Sequence, residues 1–290
     1  MMTVVRLARI MVLLTLVAGL AACSAIKLGY NTLGEVAYWW LDSYIDFTDA
    51  QAPLVRQDLA RLHAWHRHEE LPRFMQMLQR MEQLAPRDIR PEEACSFVAE
   101  LRERLLAAAN QAEPATVTLA TGLNAEQLQH LRRKYEKNNA NYTEDWIRLP
   151  RAEQHEKRYR QFLDRAEMIY GSLGDAQREA LRRDIDQSSF DPQRILAQRQ
   201  RRQRDLLATL ARIARPGVTF EEARRLMRGY LDRAVTPPDP KDRAEQEQLI
   251  AQGCRHFAVL HNSTTPAQRE NAVGRLRAYQ RELRELSADQ

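Results

Sequence analysis

The sequence predicts an all-α fold, an irregular bundle of long amphipathic helices. Only 10 of the 290 residues are glycine and 7% are aromatic, which is typical of long helices rather than of a turn-rich sheet. Apolar residues recur every three and four positions through most of the chain, and no segment alternates as a half-buried strand does. With 44% hydrophobic residues, a chain of this length can bury a sizeable core.

The first 22 residues have the form of an export signal. Arg6 and Arg9 precede residues 10–22, an uncharged stretch that ends in small residues just before Cys23, as in a secretory signal peptide. A membrane-spanning helix needs roughly 20 apolar residues, and this run is shorter. We therefore expect a cleaved signal peptide at 1–22, a short tether at 23–32 and one helical domain at 33–290.

Leu20-Ala21-Ala22-Cys23 resembles the lipobox of bacterial lipoproteins. The resemblance implies that the Cys23 sulfur receives a diacylglyceryl group, that the signal is removed, and that the new amine is acylated. The residue after the cysteine is Ser24 rather than Asp. By the same resemblance, this implies sorting to the outer membrane of a Gram-negative cell, facing the periplasm. Several acyl chains hold a protein on a membrane far more durably than one, so the membrane is the first expected partner.

The other two cysteines predict a disulfide. Without Cys23, Cys95 and Cys254 form an even pair in a compartment that oxidises thiols. Two isolated buried thiols are the alternative. Their wide spacing matches no metal motif. A bridge between them joins the N-terminal third to the C-terminal helices, which favours one folded unit.

The first helix after the tether carries an aromatic stripe. We expect this stripe to dock on the core, with Trp39, Tyr38 and Leu41 outside its centre. Trp39 is thus a candidate contact residue for lipid headgroups or a partner, although packing at the flank of the stripe also explains it. The stripe consists of Leu33, Val36, Ala37, Trp40, Tyr44 and Phe47.

Prolines, glycines and capping residues predict the later helices. A long segment over about 52–84 should bend at Pro72, and Pro91 should open the next helix. Gly171 and Pro216-Gly217 are expected stops, and Thr236–Pro240 should be an extended surface segment. The remaining helices are expected over about 124–143, 151–170, 175–187, 191–215, 219–235, 241–261 and 265–286.

Four helix starts share one form. Thr48–Gln51, Asn124–Gln127, Gly174–Gln177 and Thr265–Gln268 each place Gln three residues after a capping position, as in a capping box. Gly174 lacks a capping oxygen, so Asp175 is expected to cap there. Their uneven spacing predicts no repeat period. The starts resemble the Leu-Thr-x-x-Gln signature of periplasmic stress chaperones of the Spy and CpxP type, which are exported helical cradles; helix capping alone is the alternative explanation.

A second resemblance covers residues 23–31 and 38–47. Cys23-Ser-Ala-Ile-Lys-Leu-Gly-Tyr-Asn31 and Tyr38-Trp-Trp-Leu-Asp-Ser-Tyr-Ile-Asp-Phe47 are similar to an uncharacterised family of proteobacterial lipoproteins. This likeness implies a helical periplasmic lipoprotein over the whole length. It carries no activity and no site residues.

The sequence contains one cluster of metal-ligating residue types. His63, His66 and Glu70 share a helix face, and imidazole and carboxylate groups can bind zinc. No second ligand motif accompanies them, so a solvated, salt-bridged face is expected and a metal-binding or metal-dependent protein is the alternative.

The expected function is noncatalytic binding. The chain has no nucleophile elbow and no phosphate-binding glycine loop, so we expect no enzyme and no cofactor. Export argues against nucleic acid, and the arginines of 194–204 predict either a solvated helix or contact with anionic lipid. We therefore expect binding of an envelope protein or polymer, with chaperone-like capture of apolar segments as one form.

Overall fold

The computed structural model describes residues 26–288, and the predictions about the signal peptide and Cys23 lie outside them. The described residues are helical without any strand, which confirms the all-α prediction. Residues 26–31 form a short helical segment. The α-helices are α1 (Leu33–Ile45), α2 (Gln51–Trp65), α3 (Leu71–Leu84), α4 (Pro91–Thr121), α5 (Ala125–Tyr142), α6 (Arg151–Tyr170), α7 (Asp175–Asp186), α8 (Pro192–Ile213), α9 (Phe220–Val235), α10 (Pro240–Asn262) and α11 (Pro266–Ala288).

Local chemistry sets most helix ends where the sequence predicts them. Gly171 adopts a φ of 77° directly after α6, a left-handed conformation that glycine reaches without a Cβ clash. The side chains of Asp191, Thr219 and Asp239 accept hydrogen bonds from the first-turn amides of α8, α9 and α10, as capping residues do. Residues 236–239 of the predicted extended segment lie between α9 and α10, and Pro240 begins α10.

The predicted interruption at Pro72 takes the form of a π-helical turn. The turn spans His66–Glu70, between α2 and α3, and the amide of Leu71 donates to the carbonyl of His66. Proline has no N–H and disfavours α-helical geometry at the residue before it. The helix therefore accommodates Pro72 by forming a wider π-helical turn just before it. Beyond the turn, α3 packs along α11.

The predicted orientation of α1 is wrong for the N-terminal part of its stripe, whereas Tyr44 at the C-terminal end packs against the core as predicted. Its buried residue is Tyr38, at 6% exposure, whereas Leu33, Val36 and Trp40 are 45%, 58% and 58% exposed. Trp39 is exposed to a similar degree, at 61%. The centre of the Tyr38 ring lies 3.6 Å from Cζ of Arg56, so the N-terminal part of α1 packs by the face opposite its apolar stripe.

This orientation predicts unequal costs of truncation along α1. Tyr38→Ala should lower the free energy of unfolding by about 3 kcal/mol, because a buried ring is replaced by a cavity. Trp39→Ala and Trp40→Ala should each change it by about 0.5 kcal/mol or less, as exposed positions do. Urea denaturation followed by circular dichroism measures all three, and a Trp40→Ala cost equal to that of Tyr38→Ala would contradict this packing.

The largest cluster of buried apolar residues lies where α4, α8 and α9 meet. Ile213 and Val117 are almost fully enclosed there, at 1% and 0% exposure. A second cluster joins α6 to α11 around Tyr170 and Ala272. A third, around Ala94 and Cys254, joins α4 to α10.

Candidate functional site

The four related helix starts all form capping interactions through glutamine. The Oε1 atoms of Gln51, Gln127, Gln177 and Gln268 accept hydrogen bonds from the amides of Thr48, Asn124, Gly174 and Thr265 at 2.9–3.1 Å. The capping prediction is therefore confirmed. Asp175 is not the cap at the third start, because Gly174 is the N-cap residue and has no side chain to accept from the first-turn amides.

These glutamines also bind one another in two pairs. Gln127 Nε2 donates to Gln51 Oε1 at 2.7 Å, and Gln177 Nε2 donates to Gln268 Oε1 at 2.8 Å. The side-chain Nε2 group of each glutamine also donates to a backbone carbonyl. That carbonyl lies two residues before the capping position of the partner glutamine's helix. The carbonyls are those of Asp46, Gly122, Ser172 and Ser263, at 2.8–3.0 Å.

The pairs reveal an internal repeat that the spacing of the starts conceals. Helices α1, α2, α4 and α5 surround the first pair, and α6, α7, α10 and α11 surround the second. In both sets the first helix contacts the fourth and the second contacts the third. Segments of different length, α3 in one copy and α8 with α9 in the other, separate the paired starts, so no fixed period arises in the sequence.

The disulfide groove is an apolar cleft of about 560 Å³ beside the second glutamine pair. Cys95 on α4 is bonded to Cys254 on α10 with a Cα–Cα distance of 5.4 Å, which confirms the predicted pairing. The groove lies between α3, α4 and α10, with α6 and α11 behind. Its walls are Met81, Leu84, Ala85, Ile89, Ala94, Phe97, Val98, Ile169, Tyr170, Leu249, Ile250, Gly253, Cys254, Phe257, His261, Ala272 and Leu276.

The polar side chains of this groove, His261 and Tyr170, are hydrogen-bonded within the protein and uncharged. His261 Nε2 lies 2.8 Å from the carbonyl of Arg87, and its Nδ1 lies 2.9 Å from the Tyr170 hydroxyl. A carbonyl only accepts, so Nε2 carries the proton and the hydroxyl donates to Nδ1. Burial lowers the pKa of His261 and raises the pKa of Tyr170 to about 12, because low polarity disfavours both charged forms.

The rim of the disulfide groove is apolar and open to solvent. Val98, Leu249 and Phe257 are 42%, 39% and 47% exposed. Large apolar side chains gathered around a cleft in this way mark an interaction site more often than scattered ones do. The sequence predicted that Cys95 lies beside an apolar helix face. It did not predict that an open cleft lies between α3, α4 and α10.

His63, His66 and Glu70 do not form a ligand set. The nearest polar partner of His66 Nδ1 is the Tyr30 hydroxyl, at 3.0 Å, and the Glu70 carboxylate lies 3.6 Å from Arg104. Among residues 26–288, no group of three or more His, Cys, Asp or Glu side chains is arranged to hold a metal.

The expected salt bridges are present at this cluster, since Glu70 lies 3.8 Å from Arg73 and 3.6 Å from Arg104, but the expectation that the face is solvated is wrong. Glu70 is only 1% exposed, and burial lowers the pKa of both His63 and His66. The π turn and the contacts of residues 26–31 cover the helix face that carries this cluster, which we expected to be exposed to solvent.

The arginine groove is a second cleft, of about 540 Å³, between α1, α4, α5, α8 and α9. Its aromatic wall consists of Trp40, Tyr44, Tyr135 and Tyr230, and the cationic side chains of Arg199 and Arg202 also line it. The arginine-rich helix α8 therefore has two distinct faces, because Arg194 and Arg201 instead pair with Glu245 and Asp242 on α10.

Comparison with known proteins identifies a family but no activity. A model of the DUF6279 family, described as a family of unknown function, matches residues 43–229. No curated protein and no solved structure matches. The matched range contains Gln51, Gln127 and Gln177 and ends before Cys254 and Gln268. Within the described part of the chain, no helix is long and apolar enough to cross a membrane. Because the family model covers more than half of the sequence, the chain belongs to the DUF6279 family.

Proposed function

We propose that this protein is a noncatalytic lipoprotein of the Gram-negative outer membrane, acylated at Cys23 and facing the periplasm. It binds apolar segments of incompletely folded polypeptides. The observation that carries the proposal is the disulfide groove, whose walls are apolar and whose few polar groups are satisfied internally. Such a surface gains free energy by covering apolar side chains and recognises no particular charge.

The open rim favours a polypeptide over a small ligand. A small-molecule site usually encloses most of its ligand, whereas Val98 and Phe257 stand at the edge of an accessible cleft, each more than two fifths exposed. Apolar side chains at three- and four-residue spacing on an amphipathic segment can enter such a cleft side by side.

Features elsewhere in the chain support the compartment and the function. The lipobox resemblance at Leu20–Cys23 supports export and anchoring, and a disulfide between Cys95 and Cys254 suits an oxidising compartment. The four glutamine-capped helix starts are similar to those of the Spy and CpxP chaperones. In this chain their glutamines hydrogen-bond in pairs and so join separate helices. Together these features support a folded, exported binding protein with chaperone-like capture.

We expect a chain beginning at Ser24, which retains every described helix, to suppress aggregation of an unrelated thermally unfolding protein at stoichiometric amounts. Light scattering measures the suppression. Val98→Asp with Phe257→Asp should abolish most of it, because charges at the rim must lose water when an apolar segment binds. Leu54→Asp is the matched control, since Leu54 on α2 is 57% exposed and lies outside the groove.

The comparison between these variants decides the proposal. Equal suppression by the rim variant and the Leu54→Asp control would show that capture does not use the disulfide groove. Absence of suppression by the unsubstituted chain across several client proteins would overturn the chaperone-like function itself.

A further inference from the structure

The solvent face of α1 is an exposed apolar stripe. Taking Val36 as its centre, Trp40 and Leu33 lie within about 60° on one side and Trp39 lies about 60° on the other, at about 100° per residue. Thr32 and Ser43 extend this stripe and are uncharged. The four apolar side chains are 45–61% exposed, whereas helices of soluble proteins normally turn such a stripe to the core.

The composition of the stripe matches a membrane surface. Two of the four tryptophans in the chain stand side by side in it, and tryptophan concentrates at the headgroup level of bilayers. An amphipathic helix with such a face lies in the plane of the interface, with its apolar side chains entering the headgroup and acyl boundary. A contiguous exposed apolar patch also indicates an interaction surface in general.

The proposed anchor lies close to this stripe. Three residue steps separate Cys23 from Ile26, the first described residue, and they span at most about 11 Å. The helical segment at 26–31 then leads directly into α1. An acylated Cys23 therefore holds α1 near the bilayer, and Leu28, which precedes it, is also 66% exposed.

The arginine groove adds charge complementarity beside Trp40. Arg199 and Arg202 line this groove together with Trp40, and no carboxylate among residues 26–288 lies within ion-pairing distance of either. Arg199 lies 5.7 Å from the centre of the Tyr142 ring. Unpaired arginines near a bilayer attract anionic headgroups.

We propose that the α1 stripe, consisting of Leu33, Val36, Trp39 and Trp40, lies in the headgroup region of the membrane that holds the lipid anchor. Arg199 and Arg202 face anionic phospholipid there. The inference rests on the proposed anchor at Cys23. It adds that the domain docks on the bilayer by a defined face, so that the disulfide groove is held at a set orientation to the membrane.

Tryptophan quenching by brominated phospholipid tests the stripe in the acylated protein. The protein is placed in vesicles of phosphatidylethanolamine and phosphatidylglycerol with bromine on the acyl chains. The Trp65→Phe/Trp146→Phe variant keeps only the stripe tryptophans, and we expect bromine to lower its emission by about half, as for interfacial tryptophans. In the matched Trp39→Phe/Trp40→Phe variant, bromine should leave the emission nearly unchanged.

A second pair of variants tests the arginines. Arg199→Gln/Arg202→Gln should remove most of the additional quenching that phosphatidylglycerol gives over neutral lipid. Arg194→Gln/Arg201→Gln should retain it, because those arginines already pair with carboxylates on α10. Equal loss in both pairs would remove Arg199 and Arg202 from the membrane-facing surface.

Acylation is measured separately by palmitate labelling, with Cys23→Ala as the unlabelled control. Labelled protein whose stripe tryptophans are not quenched would overturn the docking face while leaving the anchor in place. Dimers cross-linked through a Val36→Cys variant, together with absent quenching, would assign the stripe to a second copy of the chain. Unlabelled wild-type protein would overturn the anchor and, with it, docking beside Cys23.

Discussion

Removal of the disulfide is expected to lower the free energy of unfolding by about 5 kcal/mol, because the bridge closes a very long loop in the unfolded chain. Cys95 and Cys254 are separated by 159 positions, and Cys254 is also buried at 3% exposure in the wall of the groove. Replacing both residues with Ala removes the covalent link between α4 and α10 with little loss of side-chain volume. Urea denaturation of the Cys95→Ala/Cys254→Ala variant measures the difference.

Reductant supplies the control for this prediction. Dithiothreitol should shift the denaturation midpoint of the wild-type protein toward that of the double variant and leave the double variant unchanged. Peptide mapping of protein prepared from an oxidising compartment should recover Cys95 joined to Cys254. Two free thiols, or a wild-type midpoint indifferent to reductant, would contradict the prediction.

The second large effect is expected at the buried glutamine pair. Gln268 accepts hydrogen bonds from the amide of Thr265 and from Gln177, and donates to Gln177 and to the carbonyl of Ser172. Gln268→Leu removes these hydrogen bonds at a buried site, which leaves the amide of Thr265 and the carbonyl of Ser172 without their partner and Gln177 with only its bonds to Gly174 and Ser263. Each unpaired buried group costs about 1–3 kcal/mol. We expect a total loss of about 4 kcal/mol in the free energy of unfolding, measured by urea denaturation.

The first glutamine pair provides a matched comparison. Gln51 makes the equivalent hydrogen bonds to Thr48, Gln127 and Gly122 but is only half-buried. Water can replace part of that network, so Gln51→Leu should cost about half as much as Gln268→Leu. In the second pair, Gln177→Leu/Gln268→Leu should cost less than the sum of the single changes, because each single change leaves a partner unpaired. Strict additivity would contradict the paired arrangement.

Helix boundaries followed from local chemistry and were predicted well. The caps at Asp191 and Thr219, the stop at Gly171 and the interruption beside Pro72 involve residues adjacent in the chain, so their physics can be read without knowing what packs nearby. Capping by the four glutamines belongs to the same class. The Cys95–Cys254 pairing was also predictable, because setting Cys23 aside leaves one possible intramolecular pair.

The pairing of the glutamines and the direction of α1 depended on distant residues. Gln127 meets Gln51, and Gln268 meets Gln177, only after separate helices come together, and their spacing does not encode that meeting. For α1, periodicity identified an apolar stripe correctly but assigned all of it to the core, where only its C-terminal part at Tyr44 packs. The contact between Tyr38 and Arg56 shows that the opposite face packs, and a helix pattern alone does not reveal what lies beyond its apolar side.

The sequence by itself determined the all-helical class, most helix limits, the capping glutamines and the cysteine pair, because each depends on composition, periodicity or neighbours along the chain. The tertiary structure decided which faces are buried, which glutamines pair, and where two clefts remain between helices. Burial and cleft shape arise from contacts between segments far apart in sequence, and many packings satisfy the same amphipathic pattern. For that reason, only the three-dimensional structure showed that Glu70 is enclosed and that Trp40 is exposed. It also showed that some arginines of α8 pair with α10 while others line the arginine groove.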